Sequence, residues 1–213
     1  MDGMPMPGMP MGATPPAWTL YHAGAVLVAW IAMMVAMMLP TAAPAIMRRG
    51  PVFALGYATA WAGFGIAATA LQWVLERTGA LSIHMSLTSA ALAAAVVLAA
   101  GIYQLTPLKA ACLQHCRTES DADTAAIMTV AGTSTAGARI VAALAHGLRH
   151  GAHCIGCCWA LMLLLFVGGA MNLVWMAALT LYLLLEKSLR RFPTARTTGL
   201  ALIVAGTLAA LRA

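Results

Sequence analysis

The densest group of metal-capable side chains in this sequence is His146, His150, His153, Cys154, Cys157, Cys158 and Met162. At about 100° per residue, His146, His150, His153 and Cys157 fall within a stripe roughly 60° wide on a continuous helix, with Cys154, Cys158 and Met162 progressively to one side. One partner facing that stripe would meet several nitrogen and sulfur donors at once. Three histidines and three cysteines so close together point to metal ligation or redox chemistry. The competing reading is an interfacial helix whose histidines meet lipid headgroups and whose cysteines are small packing residues. The Cys154–Cys157 spacing is that of a thioredoxin motif, but no strand and helix alternation surrounds it, and Cys157-Cys158-Trp159 lacks the histidine of a c-type haem site.

A second group, Cys112-Leu-Gln-His115-Cys116-Arg117, follows Pro107 and Lys109. On a helix Cys112 and Cys116 share a face at i and i+4, with His115 beside them. Nearby basic residues would favour the thiolate that binds metal; the alternative is a short surface helix with two inert cysteines. Methionine is the third signal, at 15 of 213 residues. Met4, Met6, Met9 and Met11 alternate with Pro and Gly in a segment unable to build a core. Met33, Met34, Met37 and Met38 form two i, i+4 pairs just before Pro40. In a helix methionine also serves as an adaptable core filler. Thioether sulfur is a soft neutral ligand suited to Cu(I), whereas a cysteine and histidine tetrahedron would suit Zn(II). The metal-ligand set read from these groups is Cys154, Cys157, Cys158, His150, His153 and Met162, with Cys112, Cys116, Met34, Met37 and Met38.

The elements that must carry these residues are set by composition. Hydrophobic residues make up 62% of the chain and charged residues 8%, against about 25% charged in a soluble domain. With 12 Lys and Arg and 6 Asp and Glu, the chain cannot cover a water-facing surface. Runs of Ala, Leu, Val and Met without period-2 alternation favour helices over a transmembrane barrel. The fold class expected is all-α, a polytopic transmembrane bundle of about six spans: 18–39, 52–75, 86–105, 154–169, 173–187 and 197–211. Gly168, Gly169 and Asn172 break the long apolar run from His150 to Leu185 into a hairpin. The last span, about 22 Å long, crosses only where the bilayer is thin. Small residues Ala54, Gly56, Ala60, Gly63 and Gly65 on span 2 would permit close packing.

Ten of the 12 basic residues fall on one set of alternate connections, leaving Arg77 and Arg212 on the other. The positive-inside rule then makes the ten cytoplasmic and the N-terminus external. Residues 1–16 form a Met-, Pro- and Gly-rich outer tail. Residues 17–213 form one membrane domain, with a cytoplasmic connection at 106–153 bearing cysteine and histidine. The N-terminal stretch has no basic n-region of the kind a signal peptide needs, so span 1 is expected to remain as a helix. All five cysteines lie on the reducing side, which disfavours structural disulfides. Met37, Met38, Cys158 and Met162 would share one inner-half site if spans 1 and 4 touch.

Four segments carry a family resemblance: WIAMMVAMMLP at 30–40, GIYQLTPLKAACLQHCR at 101–117, HGAHCIGCCWALM at 150–162, and Leu185-Glu186-Lys187. In them the chain resembles a bacterial family of predicted metal-binding integral membrane proteins that carry a domain of unknown function. The resemblance implies metal binding at Cys112, Cys116, Cys154, Cys157 and Cys158, and names neither metal nor activity.

Glu186 remains, expected either to pair with Arg190 at i+4 or to serve as a proton acceptor beside a cysteine or histidine site. No Ser, His and Asp grouping, phosphate loop or carboxylate pair appears, and no basic face interleaved with aromatics for nucleic acid. The reading is a non-enzymatic protein of the bacterial inner membrane that handles a soft metal, Cu(I) before Zn(II), by transport or delivery. Its expected partners are the lipid bilayer, the metal ion, and a metallochaperone or membrane enzyme complex. Two alternatives stand beside it: an accessory or assembly subunit with a structural metal, and a membrane thiol oxidoreductase.

Overall fold

The computed structural model describes residues 18–82, 85–116, 135–189 and 194–212. These fold into seven helices, α1 Leu20–Arg49, α2 Pro51–Arg77, α3 Ala90–Gln104, α4 Pro107–Cys116, α5 Ala136–Gly168, α6 Leu173–Ser188 and α7 Thr194–Ala210. The all-α expectation holds, but the count of six spans does not. Three helices, α1, α2 and α5, are long and apolar enough to cross a membrane, and a fourth crossing results if α3 and α4, bent by 66° at their junction, act as one. At 16 and 17 residues, α6 and α7 reach only about 24–26 Å of a hydrocarbon core about 30 Å thick.

The span boundaries differ for local reasons. Helix α1 continues through Pro40 and Pro44 to Arg49 instead of stopping at Leu39, as apolar helices tolerate proline where neighbours re-satisfy the backbone. Gly50, at φ 84°, caps α1 and leads directly into Pro51 at the first turn of α2, making a tight hairpin. Helix α5 starts 18 residues before the expected Cys154, because Arg139 and Arg149 sit on its exposed side without interrupting it. Helix α4 starts at Pro107, whose missing N–H costs nothing in a first turn, and Thr106 Oγ1 accepts from the Lys109 N–H at 3.3 Å.

Helices α2 and α5 run parallel and pack against each other through glycine. A Cβ on Gly56 would collide with the Leu144 carbonyl, and one on Gly147 with the Phe53 carbonyl. Gly65 lets α2 approach Ile31 of α1, whereas Gly63 faces open space. Helices α3 and α7 cross antiparallel in the same way, Gly101 against Ile203 and Gly206 against Leu98. The core these contacts enclose contains Trp30, Met34, Met37, Met38, Tyr57, Trp61, Cys154, Cys157, Cys158, Met162 and Leu165.

Candidate metal centre

All five cysteines are free thiols, with Cys154, Cys157 and Cys158 buried in α5 and Cys112 and Cys116 half-buried in α4. Helix α4 lies along α5 so that Cys116 comes beside Cys157. Cys112 reaches the helix at Gly156, where its Sγ stands 3.0 Å from the position a Cβ would take. The two cysteine groups, 38 to 46 residues apart between Cys112 or Cys116 and Cys154 or Cys158, thus form one sulfur cluster.

Two side chains outside the expected ligand set complete it. Lys187 Nζ donates to Cys154 Sγ at 2.9 Å and to Thr41 Oγ1 at 3.0 Å. Tyr57 Oη lies 3.2 Å from the same sulfur and donates to the Met38 carbonyl at 3.2 Å. Cys154 is therefore held by a cation from α6 and a phenol from α2, and the phenol ties it to the methionine-bearing face of α1. The flanking cations expected to act on the thiols were Lys109 and Arg117; Lys109 instead forms a fully buried ion pair with Glu186 at 2.8 Å and bonds to Gln104. Tyr182 Oη donates to the same carboxylate at 2.9 Å. Glu186 thus finds its charge partner 77 residues away, and Arg190, the expected partner, lies outside the described residues. Arg117 and the tail methionines also lie outside them.

The histidine stripe on α5 divides between neighbours, because α5 is flanked on different sides by α2 and α4. His146 and His150 turn to α2: the His146 ring is 6.1 Å from Phe53 with Nδ1 2.9 Å from Arg49 Nη1, and His150 is buried 5.6 Å from Phe53 and 5.9 Å from Tyr57. His153 turns to α4, stacked 3.9 Å from His115, and its Nδ1 meets the Arg149 carbonyl at 2.8 Å, so Nε2 is the nitrogen that could bind a metal. Met162 and Met34 line a common cavity of about 160 Å³ between α1, α2 and α5, whose wall includes Trp30 and Phe166. Met37 and Met38 are buried in the same core.

Among the described residues, no three His, Cys, Asp or Glu side chains converge as a ready-made cage for an ion. The thiols of Cys157 and Cys158 instead donate to the Cys154 carbonyl at 3.1 and 2.9 Å. A thiolate cannot donate, so deprotonation by an incoming metal would release both sulfurs toward Cys116 and Cys154. The arrangement suits an ion content with two or three sulfurs better than one needing a tetrahedron.

No curated protein and no solved structure matches the chain. The profile of one protein family matches residues 27–209, a stretch that contains α2 to α6, all of α7 but its last residue, the whole sulfur cluster and all of α1 from its third turn onward. The chain belongs to that family, the PpoB2 copper chaperones, and is accordingly a copper-handling, non-catalytic protein.

Proposed function

We propose that the protein is a membrane-embedded chaperone that holds Cu(I) on the thiols of Cys116, Cys154, Cys157 and Cys158 and releases it to a partner at the cytoplasmic face. The observation that carries this reading is the meeting of α4 and α5 thiols beside Lys187, at the end of a methionine-lined core. Each part has a chemical use. Thiolates bind Cu(I) tightly at low coordination number, and thioethers at Met34, Met37, Met38 and Met162 add weak, exchangeable soft ligands. A bis-thiolate Cu(I) unit carries one net negative charge, for which Lys187 is the counter-charge. Half-buried Cys112 and Cys116, with His153, provide an exit by stepwise ligand exchange, each sulfur displacing another without the ion becoming free.

Family membership favours this over a thiol oxidoreductase, and a chaperone that loads an enzyme is itself a form of assembly factor. The membrane placement is supported by the length of α1, α2 and α5, and the inward-facing orientation by the basic residues at Arg48, Arg49, Arg139, Arg149 and Lys187. Protein purified anaerobically from copper-supplied cells should carry about one Cu(I). Replacing Cys154, Cys157 and Cys158 by Ser should abolish this tight, thiolate-bound ion. Membrane-impermeant thiol reagents should leave Cys112, Cys116 and Cys154 unlabelled in intact cells, and rapid labelling from outside would reverse the orientation.

A further inference from the structure

A second cavity, of about 220 Å³, lies at the opposite end of the bundle from Lys187 and the thiols. It opens among α1, the C-terminal end of α2, the start of α6 and the two connections that close that end of the molecule. Four of its ten lining residues are methionines, Met33, Met85, Met171 and Met176. With 15 methionines in 213 residues, a random lining of ten would contain fewer than one.

Three features separate this cluster from ordinary packing. A filler methionine closes space, whereas these four surround an open volume, and Met171 at its rim is 67% exposed. Met85 is held in the left-handed region at φ 55°, and is the one non-glycine there among the described residues. Such a backbone is strained for a bulky residue and persists where the surroundings enforce it. The enforcement is visible: the Met85 N–H donates to Ser82 O at 2.9 Å, its carbonyl accepts from the Ala170 N–H at 3.4 Å, and the Leu87 N–H donates to Phe166 O at 2.8 Å. These bonds lock the α2–α3 connection onto the α5–α6 connection, bringing Met85 and Met171 to one cavity.

The third feature is charge. Gln72 lines the cavity and its amide donates to Glu76 Oε1 at 2.7 Å, while the Trp18 indole donates to Glu76 Oε2 at 2.8 Å. A carboxylate is therefore fixed one helical turn beyond the lining. Arg77, beside it in sequence, has its guanidinium over Trp73, 4.8 Å from the ring centre. No carboxylate lines the cavity itself, which leaves hard ions without a charged ligand and thioether-binding ions with four sulfurs.

We propose that this cavity is a second soft-metal site, taking Cu(I) on the thioethers of Met33, Met85, Met171 and Met176 before the ion reaches the thiols. The proposal rests on the copper-handling reading and extends it to where the ion is received. Trp30 lines this cavity and the Met34–Met162 cavity alike, so a single indole separates the two thioether sites. Its Nε1 donates to Gln72 Oε1 at 2.6 Å. From Met34 the next turn of α1 brings Met38, which Tyr57 links to Cys154. Neutral thioethers hold Cu(I) less tightly than thiolates, so affinity rises along this series toward the sulfur cluster.

The test is anaerobic Cu(I) titration of the full chain against a competing chelator, with Met4, Met6, Met9 and Met11 replaced by Leu in every arm so that Met1 is the one sulfur left in the tail. A variant with all five cysteines changed to Ser should retain one Cu(I). Adding Met33→Leu, Met85→Leu, Met171→Leu and Met176→Leu should weaken that ion by about tenfold or more. The four leucines in a thiol-intact chain should leave the tighter ion in place. If the quadruple change prevents folding, Met171→Leu alone, at the exposed rim, carries the test in the cysteine-free chain. The proposal is overturned if the cysteine-free chain binds no Cu(I), or if the leucines leave its affinity unchanged. A chain that binds Cu(I) through these methionines but not through the thiols would instead refute the proposed delivery site and leave the second site standing.

Discussion

Lys187→Leu deletes the charge that faces Cys154 and adds no sulfur that could itself bind Cu(I). The ammonium lies 2.9 Å from the sulfur, where the raw attraction to a thiolate is about 6 kcal/mol at an effective dielectric of about 20. Most of that is offset by the desolvation of both groups, and a hydrogen bond to a charged group contributes about 1.5–3 kcal/mol net. At 1.4 kcal/mol per decade, Cu(I) affinity should fall by between about tenfold and a hundredfold. Lys187→Arg, which keeps the charge but not its compact geometry, should lose less. The assay is competition with a Cu(I) chelator at fixed pH. Because Cu(I) displaces thiol protons, wild-type affinity should rise with pH by up to about one decade per unit for each proton released. Unchanged or tighter binding by Lys187→Leu would refute the counter-charge argument.

Three further outcomes follow from the same geometry. Glu186→Ala strands Lys109 in the core and should destabilise the protein by about 3–5 kcal/mol in denaturant titrations followed by helical circular dichroism, while the double change Lys109→Met with Glu186→Leu restores most of the loss. Gly147→Ala forces α5 away from the Phe53 carbonyl, should cost about 1–3 kcal/mol of stability, and should lower Cu(I) affinity by loosening the Tyr57–Cys154 contact; Gly63→Ala, facing open space, should do neither. Met162→Leu keeps volume and deletes one sulfur, so Cu(I) affinity should drop about tenfold while Zn(II) affinity and folding stay unchanged. A silent Met162→Leu, with His150→Ala and His153→Ala each abolishing Zn(II) binding, would reassign the site to zinc.

What the sequence made legible was local. Uncharged runs marked α1 and α2 because a stretch long enough to cross a membrane announces itself by composition alone, and marked α3 although it reaches that length only together with α4. Gly168, Gly169 and Asn172 marked the α5–α6 turn, where Asn172 accepts from the Trp175 N–H at 3.1 Å. Charge counting misled at Arg139 and Arg149, which a helix can carry on its exposed side, so the first half of α5 read as a connection. It also made spans of α6 and α7, whose apolar length was adequate by composition but short in ångströms.

Within the site, spacing found the cysteines, but which helix each histidine faced depended on the placement of α2 and α4 around α5. Tyr57 and Lys187 were missed because their contacts bridge 97 and 33 residues, a separation that no periodicity encodes. The sole available signal was Lys187's place in the Leu185-Glu186-Lys187 segment, at the end of an apolar run where a lone cation needs a partner. Gly147 and Gly151, which set the α2–α5 approach, carry no sequence signal of that role.

X-ray absorption at the copper edge of the anaerobically loaded full chain tests the account most directly. The account predicts Cu(I) with a shell of two or three sulfurs and no imidazole scattering, changed to a thioether-only shell when the five cysteines are replaced by Ser. A shell dominated by histidine nitrogen, or one unaltered by removal of the thiols, would contradict it.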